Sequence, residues 1–185
     1  MIKKLVILYL FLLIGFSATA QNVFFTRTGH IYFISHTEAI DIDANNYQVA
    51  SFLDIATGKI QCAVLIKSFE FNLATAKEHF NENYMESEKY PKATFKGEIV
   101  NMEDISLEKP GVYSIVVRGE IVIRGITKNI DVLAELTIKN NEIIARSEFV
   151  LEIADFKITV PKLVEQRVAK KIAVTVNMVY LPHKK

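Results

Sequence analysis

The sequence lacks most of the features that would cross-link a chain or direct it to a charged partner. It contains one cysteine, Cys62, among 185 residues, which excludes an internal disulfide. We interpret Cys62 as a small buried hydrophobic residue, with an exposed thiol or an intermolecular bridge as alternatives. Basic and acidic side chains almost balance, at 22 and 21. A chain so close to neutrality is a poor candidate for binding nucleic acid or an anionic membrane surface.

Motifs that carry chemistry are also missing. The sequence has no G-x-S-x-G, H-E-x-x-H, P-loop or G-x-G-x-x-G pattern. His30 and His36 lie on one predicted strand about 20 Å apart, too far to share a metal ion. His79 and Glu82 have one-turn helical spacing, which is more typical of a solvated helix face than of a metal site. We therefore predict no enzyme activity, catalytic residue, metal or cofactor; an enzyme of unrecognised type is the alternative.

Residues 1–20 predict a cleaved secretory signal peptide. Lys3 and Lys4 form a basic n-region, Leu5–Phe16 is an uncharged apolar run, and Ala18–Ala20 supplies the small residues that a signal peptidase reads. The apolar run is short for a membrane span, although an uncleaved anchor is the alternative. Cleavage at that site would remove two of the 22 basic residues and none of the 21 acidic ones, leaving a net charge of −1. We expect a periplasmic or secreted protein without stable membrane insertion after cleavage.

The remainder, residues 21–185, is predicted to be one domain of strands, since it contains no repeat, low-complexity tract or linker. Apolar and polar residues alternate with period two, which is typical of strands that bury one face. The pattern is clearest in three runs: Val112–Arg124, Ile130–Ile138 and Glu142–Ile153. Five other segments have a less sharp strand pattern: Gly29–His36, Tyr47–Ile55, Ile60–Phe71, Ala93–Met102 and Lys171–Tyr180.

Two segments depart from the strand pattern. Leu73–Met85 has apolar residues at helical spacing, and Pro161–Lys170 has the composition of a short helix. Neither is long enough to cover a large sheet, so curling the sheet into a barrel is the simplest way to bury its apolar face. The predicted fold is an all-β, antiparallel β-barrel of about eight strands with one or two short helices. Such a barrel either fills with side chains or encloses one small ligand.

The register of two hairpins predicts whether the barrel interior is filled with side chains or leaves room for a ligand. We expect Arg124 to pair with Asn129, and Lys139 to pair with Glu142 across a tight Asn140–Asn141 turn. These registers place a row of small inward side chains across three strands: Gly119, Ala134 and Ser147. Larger apolar residues flank the row, which predicts a groove suited to an alkyl or isoprenoid chain. The alternative explanation of the row is a close approach of two backbones, which needs no ligand. If the barrel is solid, a protein-interaction module is the alternative function.

The predicted ligand pocket combines inward strand residues with aromatic residues near the helical segment. Its members are Ile115, Val117, Gly119, Ile121, Ala134, Leu136, Ser147, Phe149, Val174, Val176, Phe69, Phe80, Tyr84 and Phe95. The aromatic residues either pin the helical segment to the barrel or form the mouth of the pocket. Four basic residues are candidates for contacting an anionic head group, with simple solvation as the alternative: Lys89, Lys92, Arg124 and Lys128.

Four stretches resemble the YceI family: Lys89–Phe95 (KYPKATF), Gly119–Lys128 (GEIVIRGITK), Phe80–Met85 (FNENYM) and Asp155–Pro161 (DFKITVP). The sequence departs from the family at its N-terminal strand, which lacks the usual Trp, and at Asn129, where many relatives have Pro. The resemblance implies a lipocalin-like barrel in the periplasm or outside the cell, with a buried polyisoprenoid or quinone-like ligand. We therefore predict non-catalytic carriage or sequestration of an isoprenoid, quinone or fatty-acid-like chain.

Overall fold

The computed structural model describes residues 23–106, 109–139 and 142–183, and they form a closed antiparallel β-barrel. Alternating apolar and polar residues build it, because a strand with this pattern buries one face. The nine strands of the described residues are β1 (Val23–His36), β2 (Asp41–Asp54), β3 (Lys59–Leu65), β4 (Glu70–Phe71), β5 (Lys92–Ile99), β6 (Gly111–Ile123), β7 (Ile126–Lys139), β8 (Glu142–Glu152) and β9 (Lys171–Pro182). The predicted fold class is confirmed.

Eight of these strands close the barrel. Around it, β1, β2, β3, β5, β6, β7, β8 and β9 pair in that order, and β9 pairs with β1 to complete the ring. The short strand β4 adds only two residue pairs to β2, of which one joins Ala44 to Phe71. Closure gives every barrel strand a hydrogen-bonded neighbour on both sides, which removes the open edges that would otherwise invite aggregation.

Both predicted helical segments lie at one end of the barrel. The first forms helix α1 (Ala74–His79), which continues as one π-helical turn (Phe80–Tyr84). The second, predicted at Pro161–Lys170, forms the short 3₁₀ turn Lys162–Arg167, and another 3₁₀ turn, Ile153–Phe156, precedes it directly after β8. We call residues 73–87 the first covering segment and residues 153–168 the second covering segment. Within the described residues, no helix has the length and apolar character needed to cross a bilayer.

Strands β6 to β9 bury the faces that alternation predicts, with odd-numbered residues inward in β6 and β8 and even-numbered residues inward in β7 and β9. The β7–β8 register is also confirmed, since Lys139 pairs with Glu142 and Ala134 with Ser147. The predicted Asn140–Asn141 turn lies outside the described residues. The predicted signal peptide also lies outside them, and its cleavage stays a prediction.

The predicted β6–β7 register is wrong. Ile123 pairs with Ile126, so the loop contains two residues, Arg124 and Gly125, instead of four. Both have positive φ, 50° and 71°, as a primed two-residue hairpin turn requires. Arginine is uncommon at positive φ, so the sequence carries only a weak signal for this turn. As a result Gly119 pairs with Ile130 instead of Ala134, and the predicted groove does not form.

Gly119 instead allows a close approach between neighbouring strands. It pairs with Gly97 of β5, and a Cβ atom at Gly119 would lie 2.6 Å from the Gly97 Cα atom and 2.7 Å from the Phe95 ring. The Phe95 side chain thus occupies the space that the two missing side chains leave. The alternative explanation of the small residue at Gly119, a close backbone approach, is the one that the structure supports.

One half of the barrel interior is filled. In this closed half, inward residues from six strands pack together and are almost fully buried: Leu53, Ile99, Ile115, Val117, Leu136, Ile138, Ile143, Met178 and Tyr180. The Ser51 hydroxyl donates to the Gln61 carbonyl oxygen at 3.0 Å and accepts from the Tyr180 hydroxyl at 2.8 Å. This pairing satisfies both buried hydroxyl groups, as burial requires.

Cys62 borders the closed half on the inward side of β3, and we predict that its thiol is inert in the folded protein. Burial raises the pKa of Cys62 to about 12, and the thiolate is the reactive form of cysteine. A disulfide reagent at about pH 8 is expected to label Cys62 only after denaturation, because the native thiolate fraction is about one in ten thousand. Rapid labelling of the native protein would instead indicate the exposed-thiol alternative.

Candidate functional site

The other half of the barrel is hollow. It encloses a cavity of about 640 Å³ whose walls are mainly inward residues of β1, β6, β8 and β9, with single residues from β2, β3 and β5. The wall residues are almost all aliphatic or aromatic: Ile31, Phe33, Ile121, Ile123, Phe149, Leu151, Ile172, Val174 and Val176. A cavity of this size and lining has the character of a small-molecule site that recognises apolar surface. The interior is therefore filled at one end and hollow at the other.

The first covering segment presents one face to the cavity. Leu73, Ala76, Phe80 and Tyr84, the residues whose spacing predicts a helix, all line it. The π-helical turn is closed by the Met85 backbone N–H, which donates to the Phe80 carbonyl oxygen at 2.8 Å. Desolvation raises the pKa of Tyr84, so its hydroxyl stays neutral at ordinary pH. Single π-helical turns of this kind are frequent at functional sites.

Four aromatic rings anchor that segment to the barrel wall. Phe80 contacts Phe33, Phe69 and Phe71, with ring centroids 5.4, 5.5 and 5.0 Å apart. These distances are typical of favourable aromatic pairs. All four rings also line the cavity. The two interpretations of the aromatic residues, a core that pins the segment and a lining of the pocket mouth, therefore both describe the structure.

Arg124 joins the two covering segments. Its guanidinium donates to the Lys157 backbone carbonyl oxygen at 2.8 Å and forms an ion pair with Glu86. Arg124, Glu86 and Lys157 have φ values of 50°, 48° and 52°, and they are the three non-glycine residues with positive φ among the described residues. Such backbone conformations persist where surrounding contacts hold them. We call these three residues the Arg124 clamp.

Polar side chains that line the cavity lie mainly at its rim. Thr75, His79 and Asn83 project from the first covering segment and Arg167 from the second, and all four are exposed. Ser35 is buried, but its hydroxyl oxygen accepts a hydrogen bond from the Ala169 backbone N–H at 2.8 Å. No carboxylate is present among the described residues that line the cavity. The rim of the cavity therefore offers groups that can form hydrogen bonds with a ligand, whereas the strand residues that form the walls are almost all apolar.

Half of the predicted pocket residues line this cavity: Ile121, Phe149, Val174, Val176, Phe69, Phe80 and Tyr84. The other seven do not line it: Ile115, Val117, Gly119, Ala134, Leu136, Ser147 and Phe95. Of these, Ile115, Val117 and Leu136 belong to the closed half, and Phe95 packs over Gly97 and Gly119. The strand residues of both groups face inward, so alternation alone does not distinguish those that line the cavity from those that do not.

None of the four predicted head-group residues lines the cavity. Arg124 belongs to the clamp, Lys128 pairs with Asp155 at 3.0 Å, and Lys89 lies 5.0 Å from the Tyr90 ring centroid. Lys92 is exposed at the start of β5. The sequence-based prediction missed Arg167, which lines the rim, because its 3₁₀ turn has no periodic signal. It also missed Phe33, since alternation in β1 is weak.

Comparisons with known proteins agree on the fold. A polyisoprenoid binding domain from Saccharophagus degradans shares 12% identity and superposes with a TM-score of 0.76, covering 88% of this chain and 99% of that one. BcnA of Burkholderia cenocepacia shares 14% identity with a TM-score of 0.69, covering 82% and 95%. A Campylobacter jejuni YceI protein shares 16% identity with a TM-score of 0.61, covering 82% and 91%. A search of curated protein sequences found no match.

The sequence itself carries the family assignment. The family model described as the YceI-like domain matches residues 15–180, which is most of the chain. The match includes all four stretches that resemble the family, and the barrel that those stretches imply is the one observed. The chain belongs to the YceI-like domain family.

Proposed function

We propose that this protein is a non-catalytic carrier that holds one apolar, lipid-like molecule inside its barrel, in the periplasm or outside the cell. The observation that carries the proposal is the apolar cavity of about 640 Å³ in one half of the barrel. Burial of about ten methylene groups there would contribute about 8 kcal/mol before ordering costs, which is the scale of a micromolar complex. The polyisoprenoid binding described for the Saccharophagus degradans domain supports the same class of ligand.

The chemistry of the lining supports a binding role over a catalytic one. General acid–base or nucleophilic catalysis needs titratable groups held close to each other and to the substrate. Among the described residues that line this cavity, the titratable side chains are His79, Tyr84 and Arg167, and they lie on two separate segments. A protein-interaction module, the main alternative, is less well supported because its barrel is expected to be solid throughout.

Recovery of a bound lipid tests the proposal. Protein purified without detergent is denatured and extracted with organic solvent, and the extract is compared by mass spectrometry with native spectra of the intact complex. We expect one hydrophobic small molecule for each chain. Absence of any such molecule, combined with failure of fatty-acid, isoprenoid and quinone probes to bind the refolded protein, would refute the carrier proposal.

A substitution that fills the cavity provides a second test. Ala93 lines the cavity and Ala173 lies exposed on the outer face of β9. The Ala93→Phe variant is expected to bind a fluorescent fatty acid at least tenfold more weakly, because its ring occupies space needed by about six ligand carbons. The matched Ala173→Phe variant adds the same ring outside the barrel and should bind normally. Equal binding by both variants would place the ligand elsewhere.

The proposed location has its own test. We expect that the chain, expressed in a Gram-negative host, enters the periplasm and loses its first 20 residues. Intact-mass measurement of the periplasmic fraction would show the loss directly. Recovery of the uncleaved chain from the membrane fraction would favour the anchored alternative.

A further inference from the structure

The rim of the cavity exposes large apolar residues. Leu163, Leu73 and Ile40 all line the cavity, yet 96%, 53% and 38% of their surface is exposed. They come from three parts of the chain: the second covering segment, the first covering segment and the loop that precedes β2. Leu163 is the most exposed large hydrophobic residue among those that the structure describes. A single exposed leucine is ordinary, but three such residues around one opening are the pattern of an interaction surface.

The apolar rim is continuous with the interior of the cavity. Leu163 belongs to the 3₁₀ turn Lys162–Arg167, which also contains Val164 and is directly followed by Val168. Both valines line the cavity and are half-buried, whereas Leu163 is almost fully surrounded by solvent. A partner that covers Leu163 therefore also lies against the opening of the cavity.

The turn that carries Leu163 also carries exposed positive charge. Lys162 and Arg167 are exposed, and neither forms an ion pair within the described part of the chain. Glu165, the acidic residue of the turn, is paired with Lys170 at 3.2 Å. An exposed apolar side chain flanked by cations is typical of segments that lie at a lipid interface, where the apolar group enters the acyl region and the cations contact phosphates.

A protein partner or a second copy of the chain fits this rim less well. A stable interface buries about 800 Å² on each partner around a closely packed apolar core, in which aromatic residues are enriched. Leu163, Leu73 and Ile40 are aliphatic and surround an opening, so they do not form such a core. A fluid bilayer requires no matching shape, and separate apolar side chains can enter it independently.

We propose that the rim of the cavity is a peripheral docking surface for a phospholipid bilayer, with Leu163 inserted among the acyl chains and Lys162 and Arg167 against the phosphates. The near-neutral charge of the whole chain argues against attraction by net charge alone, so docking depends on apolar insertion and local charge together. The contact is reversible, because a few side chains rather than a spanning helix enter the bilayer. This surface goes beyond the carrier function, since docking does not require an occupied cavity.

Vesicle binding tests the role of Leu163. Delipidated protein is mixed with vesicles of equal parts phosphatidylethanolamine and phosphatidylglycerol, and the bound fraction is measured by sedimentation. We expect the wild-type protein to bind and Leu163→Ser to bind at least about tenfold more weakly. Leu133→Ser is the matched control, because Leu133 is 71% exposed on the outer face of β7. Absence of wild-type binding, or an equal effect of the two substitutions, would overturn the proposal.

Two neutralising substitutions test the charges. Lys162→Gln and Arg167→Gln should each weaken binding to these vesicles about fivefold, and should have a smaller effect on vesicles of phosphatidylcholine alone. Lys59→Gln and Lys139→Gln are controls, since both lysines are exposed at strand ends beside the closed half. If the control substitutions weaken binding equally, net charge rather than the rim determines binding, and the assignment to this surface is wrong.

Self-association and lipid recovery separate this proposal from the others. Sedimentation equilibrium without vesicles should show a monomer. A dimer that Leu163→Ser disrupts would mean that a second copy covers the rim, and would overturn the proposal. Because vesicle binding is measured on delipidated protein, its failure would overturn the docking surface alone. Normal vesicle binding by a protein that yields no extracted lipid and binds no lipid probe would overturn the carrier function alone.

Discussion

Replacing Gly119 with alanine is expected to lower the free energy of unfolding by about 2–3 kcal/mol. A Cβ atom at this position would meet the Lys96 carbonyl oxygen and would lie 2.6 Å from the Gly97 Cα atom. Both are backbone atoms of β5, so the strand itself must shift to admit the methyl group. Urea unfolding followed by circular dichroism should show a lower midpoint with an unchanged dependence on urea concentration.

Gly111 in the same strand provides the control. An added Cβ atom there would lie 3.5 Å from the nearest atom, in the Tyr113 ring, which is an ordinary van der Waals contact. The Gly111→Ala variant should therefore have nearly the wild-type stability. Equal destabilisation of both variants would attribute the effect to the loss of glycine in general, and the close approach of β5 and β6 would then have no special role.

Replacing Arg124 with alanine is expected to loosen both covering segments at once. The substitution removes the hydrogen bond to the Lys157 carbonyl oxygen and the ion pair with Glu86, and Arg124 is one of the more buried charged side chains, with 16% of its side chain exposed. Losing these charged hydrogen bonds costs about 2 kcal/mol, so amide exchange in the covering segments should accelerate about thirtyfold. Hydrogen–deuterium exchange, followed peptide by peptide by mass spectrometry, would measure this acceleration.

Two further variants test whether the faster amide exchange results from the loss of the Arg124 contacts. Arg124→Gly removes the same contacts but relieves the positive φ, so it should be less destabilised than Arg124→Ala by about 1 kcal/mol. Arg118 forms an exposed ion pair with Asp131 on the outer face of the barrel, and Arg118→Ala should leave exchange in the covering segments unchanged. Faster exchange throughout the barrel in the Arg124 variants, with no preference for those segments, would contradict the clamp.

Under the proposed carrier function, the clamp would also affect how fast a ligand leaves the cavity. Residues next to it, Met85 in the first segment and Phe156 in the second, line the cavity. Loosening the segments should therefore speed the dissociation of a bound lipid, because segments held together over the cavity would hinder its exit. Stopped-flow displacement of a fluorescent fatty acid from wild-type and Arg124→Ala protein would show which rate changes.

Local sequence pattern predicted a large part of this structure because burial in a strand repeats every second residue. The inward faces of β6, β7, β8 and β9 and the cavity-facing side of the first covering segment could all be identified from spacing alone. Each of these features depends on residues within a dozen positions of each other. The family assignment likewise rests on short stretches whose order along the chain is preserved.

The β6–β7 register could not be predicted in the same way. It depends on whether Arg124 adopts positive φ, and that conformation coexists with contacts to Glu86 and Lys157, each more than thirty residues away. A four-residue loop and a two-residue loop leave the same residues facing inward, since their registers differ by an even number. Alternation therefore could not distinguish them, although the choice decides which residue lies opposite Gly119.

By itself the sequence determined the class of fold, the inward faces of the clearest strands and the apolar nature of the interior, because these follow from the order of apolar and polar side chains along each segment. Only the tertiary structure decided where the interior is hollow. The location of the hollow half depends on how strands that are distant in sequence align along the barrel axis. It also depends on Phe95, which lies over two paired glycines, and on Arg124, which joins the two covering segments. Packing between residues far apart in the chain sets this alignment, and no local sequence pattern encodes such packing.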